Sequence, residues 1–422
     1  MSLAREVVIT GLGVVSPIGI GEEAFWASLS SAQSGVRRLT AFDASTSPID
    51  FGAEVVGFDP KQYVKPRKSL KVMSRDIQLG VTAADLACSD AGLAAGSIDP
   101  DRFGVVFGSD MIQCQPEDVA GAFRRCLVDG TFDFREWGRR AMEEVYPLWM
   151  LKYLPNMPAC HIAIAHDARG PNNSVLLAES SSLLALSEAV RVIERGQADI
   201  MISGGTGSRI HPTIWARNRL LCVSQRVEDP AGASRPFDAL RDGFVNGEGS
   251  AAVIVESLEH ARRRGRNVRA RVLAYSSCFE PQAGDRPATG SAIRRGIGQA
   301  LTMAGLKASD LGHVNAHGLS TPHDDRIEAK AIRDVLGAVP VTAPKSFFGN
   351  LGSGTGAVEL AASLLALKKG LVPMTLNYEQ ADRECPVSVV RGEPLAGRPG
   401  TALVLNQSPA GQAVALVIAS PE

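Results

Sequence analysis

The sequence predicts an α/β protein built from two similar halves. Short apolar runs rich in β-branched residues alternate with longer stretches of helical period from one end to the other. Each half closes on a strand, a loop and a helix with polar residues at the junction. The 422 residues contain no short-period repeat and no low-complexity linker. That length fits two or three domains, or two halves sharing one core. The division is placed after residue 257, giving an N-terminal half over 1–257 and a C-terminal half over 258–422.

Taken in order, Glu6 to Thr10 reads as a strand that Gly11-Leu12-Gly13 turns into the first loop, and GEEAFWASLSSA follows as an amphipathic helix. Residues 71–95 are strongly helical, and Phe103 to Phe107 is a β-rich run ending at Gly108-Ser109. Residues 110–160 are less regular and hold Trp137, Tyr146, Trp149 and Tyr153; they are expected to form a helical excursion that caps the fold or contacts a second chain. Ser174 to Ala178 reads as a buried strand, followed by a sharp elbow at 178–183 and a helix with an apolar stripe at Leu183, Leu186, Val190 and Ile193. Such an elbow presents its turn residue at the positive end of a helix dipole, where a nucleophile or an anion is favoured.

Beyond the elbow, Ala198 to Ser203 is a strand entering Gly204-Gly205, and the loop DGFVNGEG leads into the strand Ala251 to Glu256. A basic helix, LEHARRRGR, comes next. Residues 268–276 are expected as a strand, 288–305 as a helix, 313–316 as a strand ending at His317, 324–337 as a helix, and 345–351 as a loop entering the helix 353–369. Strands at 401–406 and 413–419 close the chain. The glycines of GLG and DGFVNGEG read as turn requirements, since no G-x-G-x-x-G or phosphate-loop pattern stands in position.

Composition excludes several classes. Forty-four basic and 45 acidic residues nearly cancel, so neither nucleic acid nor a polybasic membrane contact is indicated. Seven scattered cysteines without CxxC pairs argue against zinc sites and a disulfide framework. The N-terminus lacks a cationic region followed by an apolar core, and no apolar run reaches membrane-spanning length, so the cytoplasm is the expected location.

Five stretches carry a resemblance, the elbow and four others. The elbow reads L-A-E-S-S-S-L-L-A-L. VVITGLGVVSPIG opens the chain, and DGFVNGEGSAAVIVESLEHARRRG follows later. VNAHGLSTPHDDRIEAKAI and APKSFFGNLGSGTGAVEL come in the second half. In order and spacing these are similar to the motifs of the β-ketoacyl synthases (ketosynthases), whose elbow is T-A-C-S-S-S-L-V-A-L and whose later motifs are N-A-H-G-T-x-T-P-x-x-D-x-x-E and K-S-x-x-G-H. The resemblance covers essentially the whole chain. It implies a thiolase fold: two duplicated βαβαβαββ halves in five layers, α-β-α-β-α, usually dimeric.

In that family the elbow cysteine accepts an acyl chain from the phosphopantetheine of an acyl carrier protein. Two histidines then stabilise the enolate formed when a malonyl thioester loses carbon dioxide. Carried over residue by residue, the nucleophile position is Glu179 and the first histidine is His317. The second histidine falls on Asn350, whose amide still donates hydrogen bonds. The lysine is Lys345, its expected acidic partner is Glu328, and Asp325 fits the D-x-x-E turn. The family's gating loop, N-S-F-G-F-G-G-T-N, falls near 405–413, which here reads LNQSPAGQA with Gln407 and Pro409 at the two phenylalanine positions. Losing the cysteine, one histidine and the gating loop together implies a natural change of role. A lone Cys→Glu replacement would leave the other two intact.

The resemblance implies no resident cofactor or metal and an acyl carrier protein as partner, with the chain either a homodimer or a heterodimer with a cysteine-bearing ketosynthase. A carboxylate forms no thioester, so condensation through Glu179 is not expected. Three roles follow: a chain-length-factor-like partner of an active ketosynthase, a malonyl-carrier-protein decarboxylase using His317 and Asn350, or altered hydrolytic chemistry with Glu179 as a general base. Glu179 could also simply fill its pocket. Ser180 is a weak substitute nucleophile, since no base is placed for it. Lys345 with an acidic partner could be purely structural. His161 and His166 read as packing residues, and Arg262-Arg263-Arg264 as a solvated helix end, or more weakly as a dock for an acidic carrier.

Overall fold

The computed structural model describes residues 5–94, 96–218, 221–281, 288–398 and 400–421. Ten strands build its core: β1 (Val7–Ser16), β2 (Phe103–Ser109), β3 (Asn172–Leu176), β4 (Ile200–Ser208), β5 (Glu248–Ser257), β6 (Ala270–Phe279), β7 (His313–Asn315), β8 (Pro340–Thr342), β9 (Thr401–Gln407) and β10 (Gln412–Ala419). The first five lie in the order β3-β2-β4-β5-β1, and the last five repeat it as β8-β7-β9-β10-β6. Even the strand directions repeat. The first three strands of each series are parallel and the last two run antiparallel. A short ladder, Val8 to Arg271 and Ile9 to Ala270, joins the two series into one continuous sheet.

Six helices flank these strands: α1 (Arg75–Asp90), α2 (Met157–His166), α3 (Ser181–Glu194), α4 (Ser291–Ala304), α5 (Pro322–Leu336) and α6 (Thr355–Lys369). Helices α3 and α6 pack on each other and on strands of both series, α1 and α2 cover the outer face of the first series, and α4, with α5 against it, covers the second. This gives the five layers expected of a thiolase fold.

The layering follows from the period-two side-chain alternation of strands. On β5, Ala251, Val253 and Val255 face the central helices while Ala252 and Ile254 face α1. On β10, Val414, Leu416 and Ile418 face inward and Ala413, Ala415 and Val417 face α4. Helix starts are set by their caps: the Ser74 hydroxyl accepts from Ile77 N–H, and Thr321 caps α5 ahead of Pro322.

Three sequence expectations need correction. Gly11 and Gly13 sit inside β1 and make no turn. A Cβ at Gly13 would lie 2.1 Å from the Ala83 carbonyl oxygen, so these glycines let α1 lie close on the strand. Gly204 and Gly205 likewise lie within β4. The strand before the elbow is β3, shifted to Asn172–Leu176, and it is half exposed because it is the sheet edge with β2 as its one neighbour. The excursion at 110–160 is present, with a helix at Pro116–Arg125, a small hairpin and an aromatic cluster in which Phe123 lies 5.0 Å from Trp137 and 5.3 Å from Phe132.

Candidate active site

The two central helices begin at the middle of the molecule, each after a 3₁₀ turn: Ala178–Ser180 before α3 and Gly352–Gly354 before α6. Ala178 is held at φ +47°, a left-handed conformation unusual for a residue with a Cβ. The Ser181 hydroxyl fixes this elbow by accepting from Leu177 N–H at 2.7 Å and donating to the Ala178 carbonyl at 2.7 Å. Glycines allow the tight approach: a Cβ on Gly108 would lie 2.6 Å from Ser182 N, and one on Gly205 2.6 Å from Ser182 Cβ.

Glu179 stands in the first of these turns, 3% exposed. Its Oε1 accepts from Asn350 Nδ2 at 2.7 Å, while Oε2 is buried without a hydrogen-bond partner. The Asn350 amide is oriented by its own oxygen, which accepts from Gly352 N–H at 2.9 Å and the Thr355 hydroxyl at 3.3 Å. Its N–H group therefore points at the carboxylate. Arg209, which sequence reasoning did not single out, places Nη1 3.6 Å from Glu179 Oε1. Its guanidinium is held by Asn246 Oδ1 at 2.8 Å and lies 5.2 Å over the Phe244 ring. No local motif marks this arginine, because it is brought in by the end of β4. Asp110 lies near the same charges; burial, then the Glu179 carboxylate, holds its carboxyl above the ordinary value.

Opposite stands His317, also buried. Its backbone N–H and that of Gly318 donate to the two oxygens of Glu328, both at 2.7 Å. Lys345 donates from Nζ to the His317 carbonyl at 2.5 Å, faces Nδ1 at 3.1 Å, and forms an ion pair with Glu359 at 2.5 Å. Asn406 donates to the other Glu359 oxygen at 2.6 Å. The partner of Lys345 is therefore Glu359, one turn into α6. Glu328, named from the sequence, is instead consumed by two backbone N–H groups of the His317 loop.

Burial sets the protonation pattern. It pushes the carboxyls of Glu328 and Glu359 up to about 7, against their hydrogen-bond donors and the Lys345 cation. Burial and then Lys345 depress His317 well below its ordinary value. The imidazole is neutral, with Nδ1 turned to an ammonium that can only donate, so the ring proton sits on Nε2. Asp325 accepts from Phe237 N–H at 2.8 Å and Ser320 N–H at 2.9 Å, and so pins the loop beside His317.

Glu179 and His317 line one cavity of about 190 Å³, closed on another side by the β9–β10 turn with Gln407, Pro409 and Gln412. The Ser180 hydroxyl is buried without a partner. His161 and His166 lie on α2, and in the basic run Arg264 pairs with Glu256 and Arg263 with Glu259. The described residues contain no grouping of side chains able to hold a metal ion, and no described helix is long and apolar enough to cross a membrane.

Chemically, an enolate oxygen requires two donors; the cavity is lined by the neutral His317 imidazole, and the Asn350 amide N–H lies behind Glu179. The amide, however, already serves the Glu179 carboxylate.

The comparisons with known proteins agree with this layout. The description "Beta-ketoacyl synthase, N-terminal domain" matches residues 4–261 and "Beta-ketoacyl synthase, C-terminal domain" matches residues 269–379. The 3-oxoacyl-[acyl-carrier-protein] synthase 2 of Synechocystis sp. is 34% identical over 395 residues, 92% of each chain. The tetracenomycin polyketide synthase ketoacyl synthase alpha subunit of Streptomyces glaucescens is 34% identical over 432 aligned positions, covering 99% of this chain and 98% of its own. Among solved structures, the ishigamide ketosynthase/chain length factor superposes with a TM-score of 0.86 at 28% identity, covering 100% of both chains. Matched over both domains and nearly its full length, the chain belongs to the β-ketoacyl synthase family.

Proposed function

We propose that this chain is a non-condensing, chain-length-factor-like partner of a cysteine-bearing ketosynthase, acting in the cytoplasm on intermediates carried by the phosphopantetheine of an acyl carrier protein, with no resident cofactor. The observation that carries this reading is the 2.7 Å hydrogen bond from Asn350 Nδ2 to Glu179 Oε1. With Glu179 at the family's nucleophile position, the chain has no group there to form an acyl thioester. The same carboxylate occupies one of the two donors that an enolate needs.

The surface supports the partner role. Met111, Phe134, Met142 and Ile164 are 71 to 78% exposed, and β3 lies at the edge of the sheet. Exposed apolar side chains and an unpaired strand edge are each features that a second chain covers. The test is co-expression with a cysteine-bearing ketosynthase, followed by light scattering on the purified complex. A one-to-one heterodimer that makes a product of defined length is expected. A stable homodimer that extends acyl chains alone would contradict the proposal.

One observation favours a second reading, malonyl-carrier-protein decarboxylation: the His317–Lys345–Glu359 chain is complete and keeps a neutral N–H donor at the cavity. Against it, the Glu179 carboxylate would face the malonyl carboxylate inside one small cavity, a repulsion that low dielectric strengthens. That objection places decarboxylation second.

A further inference from the structure

Two side chains converge on one oxygen of Glu179. Asn350 Nδ2 lies 2.7 Å from Oε1, and Arg209 Nη1 lies 3.6 Å from the same atom. Both are fastened to one loop. Asn246 and Asn350 form a parallel bridge, in which Asn350 N–H donates to the Val245 carbonyl at 2.7 Å and Gly247 N–H to the Asn350 carbonyl at 2.9 Å. The Arg209 N–H joins this loop by donating to the Gly247 carbonyl at 2.9 Å. Its side chain is pinned as well: Nε donates to Asn246 Oδ1 at 2.8 Å, and the guanidinium lies 5.2 Å over the Phe244 ring. Asn246 is itself fixed by donating to Asn218 Oδ1 at 3.0 Å. A guanidinium held at Nε and over a ring keeps its Nη1 edge turned to the elbow.

The charges around the elbow make this cation matter. Glu179 stands just before α3, where the helix dipole favours an anion. Other carboxylates oppose it. Burial first, and then the Glu179 charge, raise the Asp110 carboxyl, while Met111 N–H and Arg209 act against them. Burial, with a smaller contribution from the Glu179 charge, pushes the Glu359 carboxyl up to about 7. Glu280 and Asp324 stand on the cavity wall. Lys345 is engaged by Glu359, and His317 is neutral. Arg209 is the cation that forms an ion pair with Glu179 among the described residues, with side-chain exposures of 21% and 4%. Salt screens a pair so sheltered only weakly.

We propose that Arg209 is the positioning residue of the elbow: its guanidinium holds a negative charge at position 179 and so keeps Glu179 on the Asn350 amide. It acts through Glu179 and touches no substrate. Its functional meaning rests on the reading of a non-condensing chain, whereas the pairing itself does not. The elbow thereby remains built to hold an anionic side chain, and a thiol placed there would ionise readily.

Two measurements on the purified full chain test this. In the first, Glu179→Cys is titrated by ultraviolet thiolate absorbance, with Glu179→Ser subtracted, alone and combined with Arg209→Gln. Glutamine keeps N–H donors and loses the charge. Every other charge is common to both arms, including those outside the described residues, so the difference reads Arg209. The midpoint should lie about one pH unit or more lower with Arg209 present, a tenfold gain in thiolate. Equal midpoints would overturn the proposal. The second measurement needs no introduced thiol: denaturant unfolding of Arg209→Gln, Glu179→Gln and the double variant. Arg209→Gln should raise the unfolding constant about fivefold or more beyond its effect in the Glu179→Gln background. The same effect in both backgrounds would make Arg209 a packing residue and overturn the proposal. Neither readout involves a ketosynthase, so failure here and failure of the heterodimer are separate results.

Discussion

The two halves of the molecule share a strand order but not the quality of their central junctions. In the C-terminal half, α6 is entered through Gly352 at φ +58°, a glycine in a conformation glycine adopts freely. In the N-terminal half, α3 is entered through Ala178 at φ +47°, where a Cβ is strained. The charges divide in the same way. On the C-terminal side, Lys345, Glu359, Glu328 and the His317 backbone satisfy one another. On the N-terminal side, Glu179 keeps an unanswered oxygen. One duplicated backbone thus carries a buried lysine answered by Glu359 on one side of the cavity and a carboxylate with one unanswered oxygen on the other. Asn406 Oδ1, without a partner, and Ser320 at φ +68° belong to the lysine's side. Strain and missing partners concentrate where a fold meets its ligand.

The largest expected effect breaks the settled side. Lys345→Ala leaves Glu359 buried without its cation, and should lower stability by about 3–5 kcal/mol in denaturant unfolding. Glu179→Gln on the opposite wall keeps the Asn350 contact, and should change stability by no more than about 1 kcal/mol. Equal losses would erase the distinction between the sides.

The next effect depends on pH. The folded-state pKa of Glu328, about 7, lies above its ordinary value of 4.5. Its proton is therefore bound more tightly in the folded chain. The stability this contributes is fully present below the unfolded pKa and is lost as pH rises through 7. Glutamine does not titrate. Glu328→Gln should therefore be most costly near pH 5, and the gap to the parent should narrow by on the order of 2–3 kcal/mol by pH 8, read from denaturation curves at the two pH values. A gap that is constant or widens would show that Glu328 stays ionised.

The smallest effect sharpens the backbone comparison. Gly352→Ala adds a Cβ with ordinary contact to Arg209 at 3.7 Å, so its cost is conformational, about 1–2 kcal/mol. Ala178→Gly relieves strain but frees the unfolded chain, leaving a net change within about 1 kcal/mol. Thermal melts of the two variants should therefore move unequally.

Much of this was legible in the sequence, because alternation and motif are local. The strands themselves follow from runs such as Ala251 to Glu256, and the helix after the elbow from apolar residues at helical spacing. What was missed is tertiary. Val175 and Leu176 look like core residues in the sequence, yet β3 is an edge, and only the neighbouring strands decide that. The sequence pairs Lys345 with Glu328, whereas Glu359 reaches it because α6 packs against strands of both series. Arg209 belongs to no pattern, and its role depends on β4 ending beside the elbow. Gly11 and Gly13 look like turn residues in the sequence because a close helix approach and a tight turn both call for glycine.

The central claim, that Glu179 has removed this cavity from condensation and decarboxylation by replacing the nucleophile and engaging Asn350, is tested most directly by intact-mass analysis. Malonyl-loaded acyl carrier protein is incubated with the folded chain, with His317→Ala as control. The account predicts an unchanged malonyl thioester and no acyl adduct on the chain. Conversion to the acetyl form that disappears in His317→Ala, or an acyl group on the chain itself, would contradict it.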